Sequence, residues 1–442
     1  MAKSKKKKKK QTRELVILII LIFISAGLIT AMFTLYAQRK KQAEQSVDVT
    51  IPRRPEETEP TSAEIAETAE IPPETIPEVI TETEAPPDEN LLLVEQVMQE
   101  MSLEEKIYQM FIVTPEALVD NAVNTVIQTG NMTKQALEDK PVGGIIYFSK
   151  NLENETQTSN MIFDAQTCTQ NANHNIGLWI AVDEEGGTVA RVADSLGTTA
   201  YEDMAVYGDR NDKEEVFMMG SGIADDISKF GFNLDFAPVA DVYIDPNNEL
   251  QDRIFSDDPA IVSDMVTAMV QGLQNSGKVS ATLKHFPGLG AEDGNTHEDA
   301  SAYIERTYEE LDTVDFVPFR GGIEAGADFV MVGHQTMSCA EDDMPSDLSK
   351  TVITDWLRGN LQFNGIVITD AQNMNTITET YSSGEAALLA FQAGADIVLM
   401  PDDLNEAFQS VYDAVENGEL SEERINESVR RILTAKAKHH LL

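Results

Sequence analysis

Eight short apolar runs recur along residues 110–401, and the stretches between them read as helices. The runs are "MFIVT" (110–114), "GGIIYF" (143–148), "GLWIAVD" (177–183) and "FNLDFAPV" (232–239). They continue with "KVSATLKH" (278–285), "ADFVMVGH" (327–334), "GIVITDA" (365–371) and "ADIVLMP" (395–401). Each is apolar nearly throughout, as a parallel strand buried on both faces requires. "EAGADFVMV" and "QAGADIVLM" are near-copies, each a helix end, a glycine cap and a strand. Eight strands separated by helices give an α/β fold, a (β/α)8 TIM-like barrel over residues 91–442. The rival is a doubly wound open sheet, which the missing G-x-G-x-x-G after the first strand disfavours. The barrel domain begins near Asn90, and Ser102 with Glu105 forms a capping box at the start of a helix.

The residues before the barrel are of a different kind. Residues 1–14 carry eight basic side chains, and residues 15–37, "LVILIILIFISAGLITAMFTLYA", carry none. At about 1.5 Å per residue that segment spans the roughly 30 Å hydrocarbon layer as a transmembrane helix. A cleaved signal peptide has an apolar core of about 7–15 residues, and no lipobox cysteine follows here. The alternative is a cleaved signal with an extended core. Arg39, Lys40 and Lys41 lie beyond the segment, so the charge balance puts residues 1–14 in the cytoplasm and the barrel outside. Residues 42–90 hold eight prolines and 14 acids, with five isoleucines but no leucine, methionine or aromatic side chain. Residues 38–90 therefore read as a disordered, extended stalk.

The formal net charge is −42, which repels nucleic-acid backbones and excludes a nucleic-acid partner. Cys168 and Cys339 are the only cysteines, so no disulfide framework or cysteine-based zinc site follows.

A barrel of this kind keeps its chemistry at the C-terminal ends of its strands. The runs lead into Asp183, Asp241, Lys284 with His285, His334, and Asp370. Asp370 fits two roles, a helix N-cap or a reacting carboxylate. Asp183 leads a run of three acids that reads either as a solvated turn or, with Arg191, as a grip on sugar hydroxyls. Arg253 sits in a loop with no obvious partner. His285 and His334 end strands, but no H-x-H pair accompanies them, so no metal and no organic cofactor is implied.

Eight motifs together carry a resemblance. "MSLEEKIYQMF", "VGGIIYF", "VDEEGGTVARV", "FAPVADV", "DRIFSDDP", "KHFPGLG", "AGADFVMVGH" and "GIVITDAQNM" stand in consistent order between residues 91 and 438. The set resembles glycoside hydrolase family three in its single-domain form, most closely the β-N-acetylglucosaminidase (beta-hexosaminidase) branch. The resemblance implies Asp370 as the catalytic nucleophile. It implies Asp183, Arg191, Arg253, Lys284 and His285 as sugar-binding residues, and His334, which ends the strand before the nucleophile's, is counted with them as substrate-binding. His297 falls on the branch's acid/base, carried on a loop that Gly288, Gly290 and Gly294 would let move. Imidazole titrates near neutrality and can serve as both acid and base.

This chain departs from the branch's Asp-x-His dyad, for it reads Asn295, Thr296, His297. An Asn carbonyl accepts the ring N–H but supplies no negative charge to an imidazolium. Three readings follow: a slower dyad, a takeover by Glu292, Asp293, Glu298 or Asp299, or a sugar binder with little turnover. Leu289 and Gln372 also replace a histidine and a leucine of the pattern. The implied function is a retaining exo-β-N-acetylhexosaminidase acting on cell-wall-derived glycans. The alternatives are a glycan-binding protein on the same barrel and a phosphorolytic glycosidase.

Overall fold

The computed structural model describes residues 89–119, 124–291 and 303–442. Residues 1–88, which include the expected transmembrane helix and nearly all of the stalk, lie outside the described residues. So do Asn295 and His297. Among the described residues, no helix is long and apolar enough to cross a membrane.

The barrel strands are β1 (Phe111–Val113), β2 (Gly144–Ile146), β3 (Trp179–Val182), β4 (Leu234–Asp235), β5 (Ser280–Phe286), β6 (Phe329–Val332), β7 (Ile366–Ala371) and β8 (Ile397–Leu399). They close in sequence order, β8 pairing with β1, and every pairing is parallel. Each of the eight apolar runs contributes one strand. The runs of β1 to β3, β6 and β8 are buried along their whole strands because helices cover the outside and side chains fill the inside.

Local signals fix the helices. Ser102 Oγ accepts from the Glu105 amide at 3.2 Å, and Glu105 Oε2 accepts from the Ser102 amide at 2.7 Å, so the capping box forms. The helix it starts ends at Tyr108, and Phe111 already belongs to β1. Asp258 caps the helix Pro259–Gln274, with proline at its first position. Val262, Met265, Val266, Met269, Val270 and Leu273 form that helix's buried face at three- and four-residue spacing.

The repeated Gly-Ala-Asp triplets close the N-terminal end of the barrel. Gly326 and Gly394 end their helices at φ +90° and +120°, where an L side chain is strained. The aspartates that follow then gather cations from the chain's end. Asp396 accepts from Arg431 at 2.9 Å, from Arg358 at 2.5 Å and from Ser428 at 2.6 Å. Asp328 accepts from Lys438 at 2.6 Å and meets His439 Nε2 at 2.9 Å. His439 also packs edge-on against Trp179, 5.6 Å between ring centres. The last helix, Glu422–Lys438, is thereby fastened across the barrel floor, opposite the end where the strands deliver their polar residues.

Candidate active site

Strand β3 runs into Asp183, and the chain then turns sharply. Glu184–Gly186 pairs with Val189–Ala190 as a small antiparallel hairpin. Gly186 and Gly187 make the turn at φ +89° and +56°, and a Cβ at Gly187 would collide with Asp203. The turn brings Arg191 back over Asp183, where its Nε donates to Oδ2 at 3.2 Å. The same guanidinium lies 5.0 Å above the Phe148 ring.

The acid run is not a solvated turn. Glu184 is buried and accepts from the amides of Val192 at 2.6 Å and Ala193 at 3.0 Å. Burial pushes its carboxyl up to about 7, against the pull of those two bonds. Glu185 is buried on the other side. Its two oxygens accept from Arg253 Nε and Nη2, each at 2.8 Å, and Lys284 Nζ stands 2.6 Å from Oε1. Lys284 also donates to Asp183 Oδ1 at 3.1 Å. Burial raises the Glu185 carboxyl, but Lys284 and Arg253 outweigh it and hold the group at about 2. Arg253, which showed no obvious partner in the sequence, thus has a bidentate one.

His285 follows Lys284 across a cis peptide. Asp241 holds it: one carboxylate oxygen accepts from the His285 amide at 3.1 Å and lies 2.9 Å from its Nδ1. The other oxygen accepts from the Leu289 amide at 2.6 Å. Strand β4 itself is only two residues long, so Asp241 sits six residues beyond it rather than at its tip. Gly288 and Gly290 serve close packing here. A Cβ at Gly288 would lie 2.8 Å from Asp315 Oδ1, and one at Gly290 would strike the Val242 carbonyl.

Asp370 stands at the C-terminal rim of β7. Its Oδ1 accepts from the Ala371 amide at 2.7 Å, and among the described residues Oδ2 accepts no hydrogen bond. Burial raises its carboxyl, but the charges of His334, His285 and Lys284 outweigh that and hold it below the usual carboxylate range. Asp370 is therefore a carboxylate at neutral pH. It does not cap a helix: the next one, Asn375–Thr378, begins five residues later behind Met374.

Asp183, Glu185, Arg191, Arg253, Lys284, His285 and Asp370 line a single cavity of about 420 Å³. Phe148, Phe236, Leu289 and Met374 supply part of its apolar wall. Six of the nine residues singled out in the sequence therefore converge. His334 does not line the cavity; it is buried behind Asp370, its Nε2 3.0 Å from the Ala371 carbonyl. Asn295 and His297 lie outside the described residues, which run through Ala291 and resume at Tyr303. Sequence reasoning passed over Glu185 and used Asp241 only as a strand end. A signal for Glu185 was present: three cations, Arg191, Arg253 and Lys284, fell on sugar-binding positions with one acid, Asp183, to meet them. Among the described residues, no cluster of His, Cys, Asp and Glu is arranged to hold a metal ion.

Residues 102–435 match the model of the glycosyl hydrolase family 3 N-terminal domain. The chain belongs to glycosyl hydrolase family 3. The family is one of glycosidases, enzymes of O-glycosyl bonds. This family 3 chain is 31% identical over 324 residues to a beta-hexosaminidase of Nitrosomonas eutropha, covering 71% of this chain and 89% of that one. It is 29% identical over 324 residues to beta-hexosaminidase A of Pseudoalteromonas piscicida, covering 67% of this chain and 53% of that one. Among solved structures it resembles a family 3 β-N-acetylglucosaminidase from Paenibacillus sp. at a TM-score of 0.72 and 32% identity, over 77% of this chain and 63% of that one. The chain thus spans about half to two thirds of the length of some relatives and most of the length of others.

Proposed function

We propose that this family 3 chain is a retaining exo-β-N-acetylhexosaminidase that removes terminal N-acetylglucosamine from the non-reducing ends of cell-wall-derived glycans. The observation that carries the reading is the ionised Asp370 carboxylate, with its Oδ2 unengaged among the described residues, in a cavity walled by Asp183, Arg191, Arg253, Lys284 and His285. The names of the relatives support the acetamido sugar.

In this reading Lys284, Asp183 and Arg253 hold the sugar's hydroxyls. Asp370 attacks the anomeric carbon as the bond to the leaving oxygen breaks, and an ester to Asp370 forms. His297, protonated, gives its proton to that leaving oxygen. Neutral His297 then takes a proton from water, whose oxygen attacks the anomeric carbon and frees Asp370. Asn295 orients the imidazole through its carbonyl. Glu185 does not react; it holds Lys284 and Arg253 in place and balances their charge.

We further infer that residues 15–37 anchor the chain in the cell membrane with residues 1–14 in the cytoplasm. The acidic segment up to residue 90 then carries the barrel to the wall side, where glycan fragments are found.

The deciding assay is turnover on a panel of aryl glycosides, each with and without phosphate. Hydrolysis of the β-N-acetylglucosaminide ahead of the glucoside and xyloside is expected. Binding without turnover would favour the glycan-binding alternative, and a strict need for phosphate would favour phosphorolysis.

A further inference from the structure

The fully buried polar groups behind Asp370 form a network that sugar binding does not use. His334 lies just past β6, and Asp347 lies in the 3-10 turn Ser346–Leu348. Both side chains are closed to solvent. His334 Nε2 is 3.0 Å from the Ala371 carbonyl, which can only accept. His334 Nδ1 is 3.1 Å from Asp347 Oδ1. That nitrogen is off the line of a hydrogen bond, so the attraction is that of two charges. Gln372 Nε2 donates to Asp347 Oδ2 at 3.2 Å. Both ring nitrogens thus face oxygens, and the doubly protonated ring alone offers an N–H to the carbonyl and a positive charge to the carboxylate.

We propose that Asp347 is a positioning residue for the nucleophile: it pairs with a doubly protonated His334, and that fixed positive charge keeps Asp370 ionised for attack. The proposal rests on Asp370 being the nucleophile. Burial by itself would strip the proton from His334, yet Asp347, Asp370 and the Ala371 carbonyl together outweigh it and lift the ring to about 9. Asp370 adds to that lift, and the effect is mutual. Among the described residues, charged and titratable groups approach the pair from several elements. Gln372 and Asp370 come from the β7 side, and Lys284 and His285 reach Asp370 from β5. Tyr381 feels the charges of Asp347 and Glu385 from the far side.

The arrangement also gives Gln372 a function. In place of the leucine of the family pattern, it supplies the amide that Asp347 needs once it is buried. A buried polar oxygen left without a donor is costly, and the Gln372 amide removes that cost.

The test uses the full-length chain labelled with 15N-histidine. NMR follows the His334 ring, assigned through its loss in His334→Gln. In the wild type both ring nitrogens should stay protonated at pH 7.5. In Asp347→Asn the ring should be neutral at that pH, and the acid limb of the kcat/KM–pH profile should move up by about one unit. A neutral wild-type ring at pH 7.5 overturns the proposal, even if the Asn variant fails to fold. So does an acid limb that stays in place while the ring loses its proton. A chain that turns over no aryl glycoside defeats the glycosidase reading instead. The Asp370 carboxyl, followed by 13C NMR, then replaces the rate: a rise of about one unit in Asp347→Asn supports the pair, and no change overturns it.

Discussion

Lys284 Nζ lies 2.6 Å from Glu185 Oε1, with the lysine side chain 3% and the glutamate side chain 2% exposed. A charge pair so withdrawn from water is costly unless every partner is present. Arg253 and Asp183 complete it, and the four groups set the shape of the sugar-facing wall. Glu185→Ala should therefore leave Arg253 without its bidentate carboxylate and Lys284 with Asp183 alone, and lower stability by about 3–5 kcal/mol. Glu185→Gln, which keeps the acceptor oxygen, should lose less. Urea unfolding of the two variants measures the difference, and equal losses would speak against a charge-balancing role.

The same carboxyl gives a pH dependence with a defined sign. Its folded value of about 2 is below the ordinary 4.5. Its stabilisation is therefore complete above pH 4.5 and is lost as the pH falls through 2. The acid-unfolding midpoint of Glu185→Gln should move to higher pH than that of the wild type, as read by circular dichroism.

Lys436 behaves in the opposite way. It is fully buried on the last helix, and among the described residues Nζ donates only to Gln109 Oε1 at 2.7 Å and the Gly143 carbonyl at 2.9 Å. Burial without an acid lowers its ammonium to about 7. The fold favours the neutral amine, so the wild type loses stability as the pH falls from about 10.5 to 7. Lys436→Met removes that slope. Its unfolding free energy relative to wild type should improve by roughly 2–4 kcal/mol between pH 10 and pH 7. A constant difference across that range would show that the amine is not desolvated as placed.

How much of this the sequence disclosed depends on the kind of feature. The eight strands were legible because a strand buried on both faces must be apolar throughout, and "ADFVMV" and "ADIVLM" leave no other reading. The convergence of Asp183, Arg191, Arg253, Lys284, His285 and Asp370 came from the motifs, since residues up to 187 positions apart carry no local sign of contact. Glu184 and Glu185 were misread because three adjacent acids ordinarily face water. Only the positive-φ turn at Gly186–Gly187 sends one to cap a helix and the next to meet two cations. Asp347 and Gln372 were silent for a related reason: each is unremarkable alone, and their meaning lies in a contact across 25 positions.

Asn295→Asp tests the altered dyad. A carboxylate beside His297 would stabilise its protonated form, and turnover on an aryl β-N-acetylglucosaminide should rise about tenfold. An unchanged rate would assign the missing charge to one of Glu292, Asp293, Glu298 or Asp299, and single Ala variants of these would identify it.

The central claim concerns a covalent bond to one oxygen atom. The chain is mixed with an activated fluoro-sugar N-acetylglucosaminide, quenched in acid, digested and examined by mass spectrometry. The account predicts one sugar per chain, attached at Asp370, and no attachment in Asp370→Ala, whose turnover should fall at least about a thousandfold. A sugar attached to another residue, or Asp370→Ala retaining more than about a tenth of wild-type turnover, would contradict it.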